Sequence, residues 1–165
     1  CISLITPPDL PSTQLANCCY QSMFEGCTSL IEAPDLPAIL LKNNCYASMF
    51  KNCYSLVKAP ELGNSAAFGT AIECCNSMFE NCKSLESAPI LLSYSLENAC
   101  FQKMFKGCSN LNYVKALFRT FGYNSLDNWL SGVSPTGTFV KNASATWNNS
   151  EAGIPDGWTV EYATE

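Results

Sequence analysis

The sequence contains no histidine, and charged residues make up only 14% of its 165 residues. Without imidazole, the chain has no Ser-His or Cys-His dyad, no imidazole metal ligand and no histidine general base. The formal net charge of -5 argues against nucleic-acid binding and against a basic patch for anionic lipid. No apolar run approaches the ~20 residues that a membrane-spanning helix needs. What remains is a folded protein, 47% hydrophobic, with a sizeable core.

The chain does contain an internal repeat, whose copies centre on a Met-Phe pair with spacings of 26, 29 and 26 residues. In each copy a cysteine lies four residues before the methionine and another lies four residues after it. A partial copy precedes these, because the run from Cys1 aligns with the run from Cys27. We expect repeats over residues 1–117 and a capping segment over 118–165, within one continuous domain. The repeated ladder comprises Cys19, Met23, Cys27, Cys45, Met49, Cys53, Cys74, Met78, Cys82, Cys100, Met104 and Cys108.

Each copy combines two periodicities. Apolar residues recur every four positions around each Met-Phe pair, which predicts a helix of about three turns. The stretches at 29–33 and 55–59 are short and end before a proline, which predicts strands. Stacked copies of such a unit predict an α/β solenoid, with short parallel strands on one face and short helices on the other. Turn residues and the runs "TGTFVK" and "GWTVEY" predict a β-rich cap at the C-terminal end.

The copy "CYQSMFEGCTSLIEAPDLP" and its later versions resemble the leucine-rich repeats of BspA-like surface proteins from anaerobic gut and oral bacteria. The resemblance covers about residues 1–117, and the remainder is similar to the segment that closes such arrays. It implies an exported protein, secreted or held at the cell surface, that binds host matrix, mucin or another bacterial surface. Because the chain opens inside a repeat, we expect a signal and further N-terminal sequence to precede it.

Eleven cysteines raise the question of disulfides, metal sites or buried thiols. Cysteines eight residues apart on a helix are separated by about 12 Å, and neighbouring helices by ~8–10 Å, both beyond the ~7 Å limit for a disulfide. The ladder also lacks the closely paired cysteines of a zinc site. We therefore expect free, buried thiols, with methionine as core filler and no metal or cofactor. Cys18 and Cys75 lie outside the ladder, and we expect them to be the most exposed.

Function in such an array is expected at exposed positions that vary between copies. Their mixture of apolar, aromatic and charged side chains favours a protein partner, with Tyr54 and Tyr113 as candidate anchors. A structural spacer and a carbohydrate-binding module remain as alternatives. The binding candidates are Ile31, Glu32, Tyr54, Val57, Lys58, Lys83, Glu86, Asn112 and Tyr113.

Carboxylates offer the one enzymatic alternative. Asp9, Asp35 and Glu61 occupy equivalent places after the predicted strands. Acids in a shallow exposed loop lack the burial that tunes a general acid, so we interpret them as solvated turn residues. The sequence also lacks a phosphate-binding glycine loop and a G-x-S-x-G nucleophile elbow. We therefore expect a non-catalytic protein.

Overall fold

The computed structural model describes residues 1–62, 69–147 and 152–163. Within them the regular elements are three short strands, β1 (Tyr113–Ala116), β2 (Thr138–Lys141) and β3 (Thr159–Tyr162). They form one parallel sheet in the order β1-β2-β3. No helix occurs in these ranges, and accordingly none of the described chain has a helix able to cross a membrane.

The predicted helices are wrong, because the Met-Phe region of each copy is a series of tight turns. In the second copy the Met49 N–H bonds the Tyr46 carbonyl at 3.1 Å, which closes a turn of the i to i+3 type. The next N–H, on Phe50, instead bonds the Met78 carbonyl of the following copy at 2.9 Å. This alternation continues along the chain. We call these stretches the turn series; they cover residues 18–26, 44–52, 73–81, 99–107 and 124–132.

A left-handed residue at every fourth position is what separates a turn series from a helix. In the second copy Asn44, Ser48 and Asn52 have φ values of 57°, 56° and 62°. An α-helix needs a right-handed φ at every residue, and its N–H groups bond carbonyls of the same helix. Here the left-handed residues turn the backbone so that every second N–H group points toward the next copy. The four-residue spacing of apolar side chains therefore reports a repeat of the turn, not the 3.6-residue repeat of a helix.

The predicted strands within the copies are wrong as well, because most of them are reduced to single bridges. Glu32 pairs in parallel with Lys58, and Ser87 with Tyr113, with prolines following closely in the first three copies. Proline has no N–H to donate, so a parallel ladder cannot extend through it. The α/β solenoid with a helical face is thus replaced by stacked coils of turns and one-residue bridges. Further bridges join Gln14 to Leu40, Leu36 to Leu62, Leu91 to Ala116 and Ser95 to Thr120.

The core is a set of columns in which equivalent side chains of successive coils lie on one another. Phe24, Phe50, Phe79 and Phe105 stack with ring centroids 5.5 Å apart and nearly parallel planes. Such spacing is possible because backbone hydrogen bonds, and not helix-to-helix packing, set the distance between copies. Leu30, Leu56, Leu85 and Leu111 follow the turn series in their copies and are all fully buried.

A fifth turn series lies at 124–132, within the segment that we assigned to the cap. Its backbone accepts hydrogen bonds from the fourth copy in the same pattern, for example from the Phe105 N–H to the Trp129 carbonyl at 2.9 Å. Trp129 occupies the position of the ladder methionines and is fully buried. Its indole Nε1 donates to the Gly153 carbonyl at 2.9 Å. β2 and β3, in the predicted runs "TGTFVK" and "GWTVEY", complete this end of the core.

Gly26 and Gly107 occupy the same left-handed position in two different copies, but their surroundings differ. Gly26 and Gly107 have φ of 71° and 74°, but a Cβ at Gly26 meets open space whereas one at Gly107 overlaps the side-chain oxygen of Asn81. Asn81 is fixed by a 2.9 Å hydrogen bond to Asn52. We expect Gly26→Ala to lower the free energy of unfolding by about 1 kcal/mol, and Gly107→Ala by about 1–2 kcal/mol more, because that bond must break. Urea unfolding measures both; equal losses would contradict the overlap.

Candidate interaction surface

The binding candidates lie on one exposed side of the stacked coils, which we call the outer face: Ile31, Glu32, Tyr54, Val57, Lys58, Lys83, Glu86, Asn112 and Tyr113. Backbone hydrogen bonds connect its members across copies. The Val57 N–H donates to the Ile31 carbonyl at 2.9 Å, and the Asn112 N–H donates to the Glu86 carbonyl at 3.0 Å. The outer face is therefore held by the same inter-copy bonds as the core.

Consecutive residues face outward here, unlike in a regular strand. Ile31 and Glu32 are both exposed, as are Val57 and Lys58, although side chains alternate between faces along an extended strand. The bridges in these copies involve a single residue pair, so the chain is extended too briefly to impose that alternation. Each copy thus presents two adjacent side chains where a strand would present one.

Tyr54 and Lys83 contact each other across the second and third copies. The Lys83 ammonium nitrogen lies 5.2 Å from the centroid of the Tyr54 ring, within cation-π range. Tyr54 nevertheless remains 43% exposed, and Tyr113 38%. The two tyrosines therefore keep surface for a partner while the position of Tyr54 is restrained. The charged members balance, with Glu32 and Glu86 opposing the two lysines.

The core ladder is buried except at its first members. Met49, Met78 and Met104 are fully buried, whereas Met23 is 45% exposed and Cys19 is also exposed. Cys19 and Met23 belong to the first turn series, which is hydrogen bonded to the second copy on one side. The buried ladder cysteines are Cys27, Cys45, Cys53, Cys74, Cys82, Cys100 and Cys108.

Cys75 is fully buried, contrary to the prediction that it is exposed, whereas Cys18 is exposed as expected. Cys75 follows a ladder cysteine, as Tyr46 and Phe101 do in the neighbouring copies, and both of these aromatic residues are fully buried. Aligning the copies residue by residue would have shown that this position belongs to the core. The copy with cysteine there simply has a smaller side chain.

The second ladder cysteine of a copy has a specific role as a hydrogen-bond donor. The Cys53 thiol donates to the Phe24 carbonyl at 3.1 Å, and Cys82 and Cys108 repeat this contact with Phe50 and Phe79 at 3.1 and 3.0 Å. A thiol is small and apolar enough for a tight layer yet still donates weakly. All eleven cysteines are free.

Burial keeps five of the ladder thiols protonated. It raises the pKa of Cys45, Cys53 and Cys108 to about 12. It also raises the pKa of Cys82 and Cys100 well above the ordinary range. The thiolate is the nucleophile and the metal-binding form, so these side chains are chemically inert in the folded protein. The described residues contain no group of three or more cysteines or carboxylates arranged to hold a metal ion.

Asp9, Asp35 and Glu61 are exposed, as expected for solvated residues, although none of them lies in a turn. Two other features were missed by the sequence reasoning. Tyr94 is 64% exposed beneath the Arg119 guanidinium, 5.5 Å from the ring centroid. The other is a cavity beside the fifth turn series. The signal for that cavity is the Asn-x-x-x-Asn-x-x-x-Gly spacing from Asn124, which marks a further copy.

Comparison with known proteins identifies no relative: no protein family, no curated protein and no solved structure matches this chain.

Differences in thiol burial predict selective alkylation. At pH 8 we expect iodoacetamide to modify Cys1, Cys18 and Cys19 readily, and the eight buried cysteines at least about 100-fold more slowly, because burial makes them inaccessible to the reagent. Peptide mass spectrometry over a time course measures each rate. The same protein in urea should show similar rates at all positions. Fast labelling of Cys75 in the folded protein would contradict its burial.

The raised thiol pKa values also predict a pH dependence of stability. Above the unfolded thiol pKa of about 8.5, unfolded chains lose protons that the folded core retains, so the free energy of unfolding falls as pH rises. We expect a decline beginning near pH 8.5 and continuing toward pH 12, the value reached by Cys45 and Cys53. Urea unfolding at pH 7.5 and 9.5 under reducing conditions measures it. Unchanged stability between these values would argue against protonated buried thiols.

Proposed function

We propose that this protein is a non-catalytic interaction module that binds another protein through the outer face. The observation that carries the proposal is that exposed, chemically varied side chains project from a backbone held by hydrogen bonds between copies. Ile31 and Val57 are an example, because the Val57 N–H donates to the Ile31 carbonyl. Side chains on a restrained backbone lose less conformational entropy on binding than those on a mobile loop. The outer face is therefore suited to recognition.

The composition of the outer face indicates the kind of partner. Ile31 and Val57 are 47% and 46% exposed, and a backbone hydrogen bond joins the two residues. Together they supply an apolar patch on the outer face. Tyr54 and Tyr113 add aromatic surface, which is enriched at protein interfaces and frequent among energetically important contacts. Balanced charges favour a partner without a strong net charge on its contact surface.

The resemblance to BspA-like proteins supports a proposed location at the bacterial surface. We propose an exported protein, secreted or displayed on the cell, whose partner is a host matrix protein, a mucin or a protein on another bacterium. This part of the proposal rests on the repeated sequence and on the exposed position of the variable residues in each copy.

Binding should depend on the two tyrosines of the outer face. We expect the chain to bind at least one member of a panel of purified matrix proteins and mucins in surface plasmon resonance. A double Tyr54→Ala, Tyr113→Ala variant should bind at least about tenfold more weakly, because aromatic anchors contribute about 1–2 kcal/mol each.

A matched control removes two tyrosines elsewhere, at Tyr94 and Tyr123, which are 64% and 77% exposed. The double Tyr94→Ala, Tyr123→Ala variant should retain affinity within about twofold, since exposed substitutions away from an interface change little. Equal loss in both variants would exclude the outer face as the binding surface. A folded chain that binds no member of the panel would instead support a structural spacer.

A further inference from the structure

A cavity of about 310 Å³ lies beside the fifth turn series, far along the stack from the first copies. We call it the cap cavity. It is an open depression, and its volume is at the lower end of the range for small-molecule sites. Its lining combines aromatic and hydrogen-bonding side chains, chiefly Phe121, Asn124, Ser125, Asp127, Thr146 and Trp147.

Two aromatic rings provide the apolar part of the cap cavity. Phe121 and Trp147 meet nearly at right angles, with centroids 5.1 Å apart and planes 78° apart. Trp147 is supported from behind by Phe118 and Phe139, at centroid distances of 5.1 and 4.9 Å. Phe121 remains 41% exposed. The rings are thus fixed by the core while one of them stays available to a ligand.

A chain of hydrogen bonds positions the carboxylate of the cap cavity. The Asn76 amide donates to Gln102 at 3.1 Å, and the Gln102 amide donates to Oδ2 of Asp127 at 3.3 Å. These three residues occupy equivalent places in successive copies. The bond engages Oδ2, while Oδ1 makes no hydrogen bond within the part of the chain that the structure describes. Asp127 therefore enters the cavity oriented and with acceptor capacity.

The remaining polar groups supply both donors and acceptors. Asn124 lines the cavity from a left-handed backbone position with φ of 52°, which sets the direction of its Cα–Cβ bond. Ser125, only 2% exposed, and Thr146 add hydroxyl groups. Asp127 is the one charged residue among the described lining residues, so a phosphate or carboxylate ligand would meet a negative charge without a compensating cation.

We propose that the cap cavity binds a neutral saccharide unit. Sugars present apolar C–H surface that packs on aromatic rings, together with vicinal hydroxyls that both donate to carboxylates and accept from amides. The pairing of Phe121 and Trp147 with Asp127 and Asn124 matches both features. This site is separate from the outer face and does not rest on the proposed protein binding.

The test is an array of defined neutral, sialylated and sulfated oligosaccharides, followed by titration of the best-bound sugar against intrinsic tryptophan fluorescence. We expect binding to a restricted set of glycans. Asn124→Gly removes the amide without disturbing the backbone, since glycine tolerates positive φ, and Asp127→Asn retains the bond to Gln102 while removing the charge. Each should weaken binding at least about tenfold, as expected for loss of a hydrogen bond to a ligand.

Asn128→Gly is the matched control, because Asn128 has φ of 55° in the same turn series but does not line the cap cavity. Its affinity for the sugar should lie within about twofold of that of the unchanged protein. Thermal melting should show that the Asn124→Gly and Asn128→Gly variants are similarly stable. Failure to bind any glycan, or equal loss in the control, would overturn the proposal. The Tyr54→Ala, Tyr113→Ala variant should bind sugar normally, so failure of the outer face and of the cap cavity remain distinguishable.

The array also separates the sources of the sugar. Host-type glycans terminating in galactose or N-acetylglucosamine and bacterial polysaccharide fragments are printed as separate sets. Preference for either set supports the cap cavity and identifies the surface that carries its ligand. Exclusive binding of sialylated or sulfated glycans would contradict it, since those anions oppose Asp127.

Discussion

The alternation of backbone hydrogen bonds in the turn series is the constraint on which this structure depends. One N–H closes a turn within the copy, and the next reaches the following copy, as Met49 and Phe50 illustrate. Both uses require a left-handed residue at every fourth position. That requirement explains the abundance of Asn and Gly at those places, because these two residues adopt positive φ at the least cost. It also satisfies the backbone polar groups that a stacked core would otherwise leave buried and unpaired.

Close stacking then determines which side chains each column can contain. At the last left-handed position of the series, Asn52 and Asn81 bond side chain to side chain, whereas Gly107 has no room for a Cβ beside Asn81. One position earlier, Lys51 and Glu80 form an ion pair at 2.9 Å. Burial opposes ionisation of Glu80, but Lys51 and Lys106 outweigh it and lower the pKa of the carboxyl. Like charges at neighbouring positions of such a column would repel.

The sequence predicted the periodicity but not the conformation. The residues alone predicted the copy boundaries and the burial of Met49 and Met78. They also predicted the strands in "TGTFVK" and "GWTVEY". The helix was wrong because a four-residue apolar spacing is shared by helices and by serial turns. Discriminating them required the second pattern, with Asn, Ser or Gly at a fixed offset from the apolar residues. The fifth turn series was missed because Trp129 replaces methionine and Ser125 replaces cysteine.

The same constraint separates the two candidate sites. The residues of the outer face are exposed because they point away from the columns, and for the same reason they are free to vary without affecting the stack. The cap cavity could not be predicted, since it depends on Trp147 returning to pack on Phe118 and Phe121 from more than twenty residues away. Contacts between residues so far apart in the sequence do not produce a periodic pattern of residue types. The proposed protein-binding surface thus uses positions that the repeat leaves free to vary, and the proposed sugar site lies where the repeat ends.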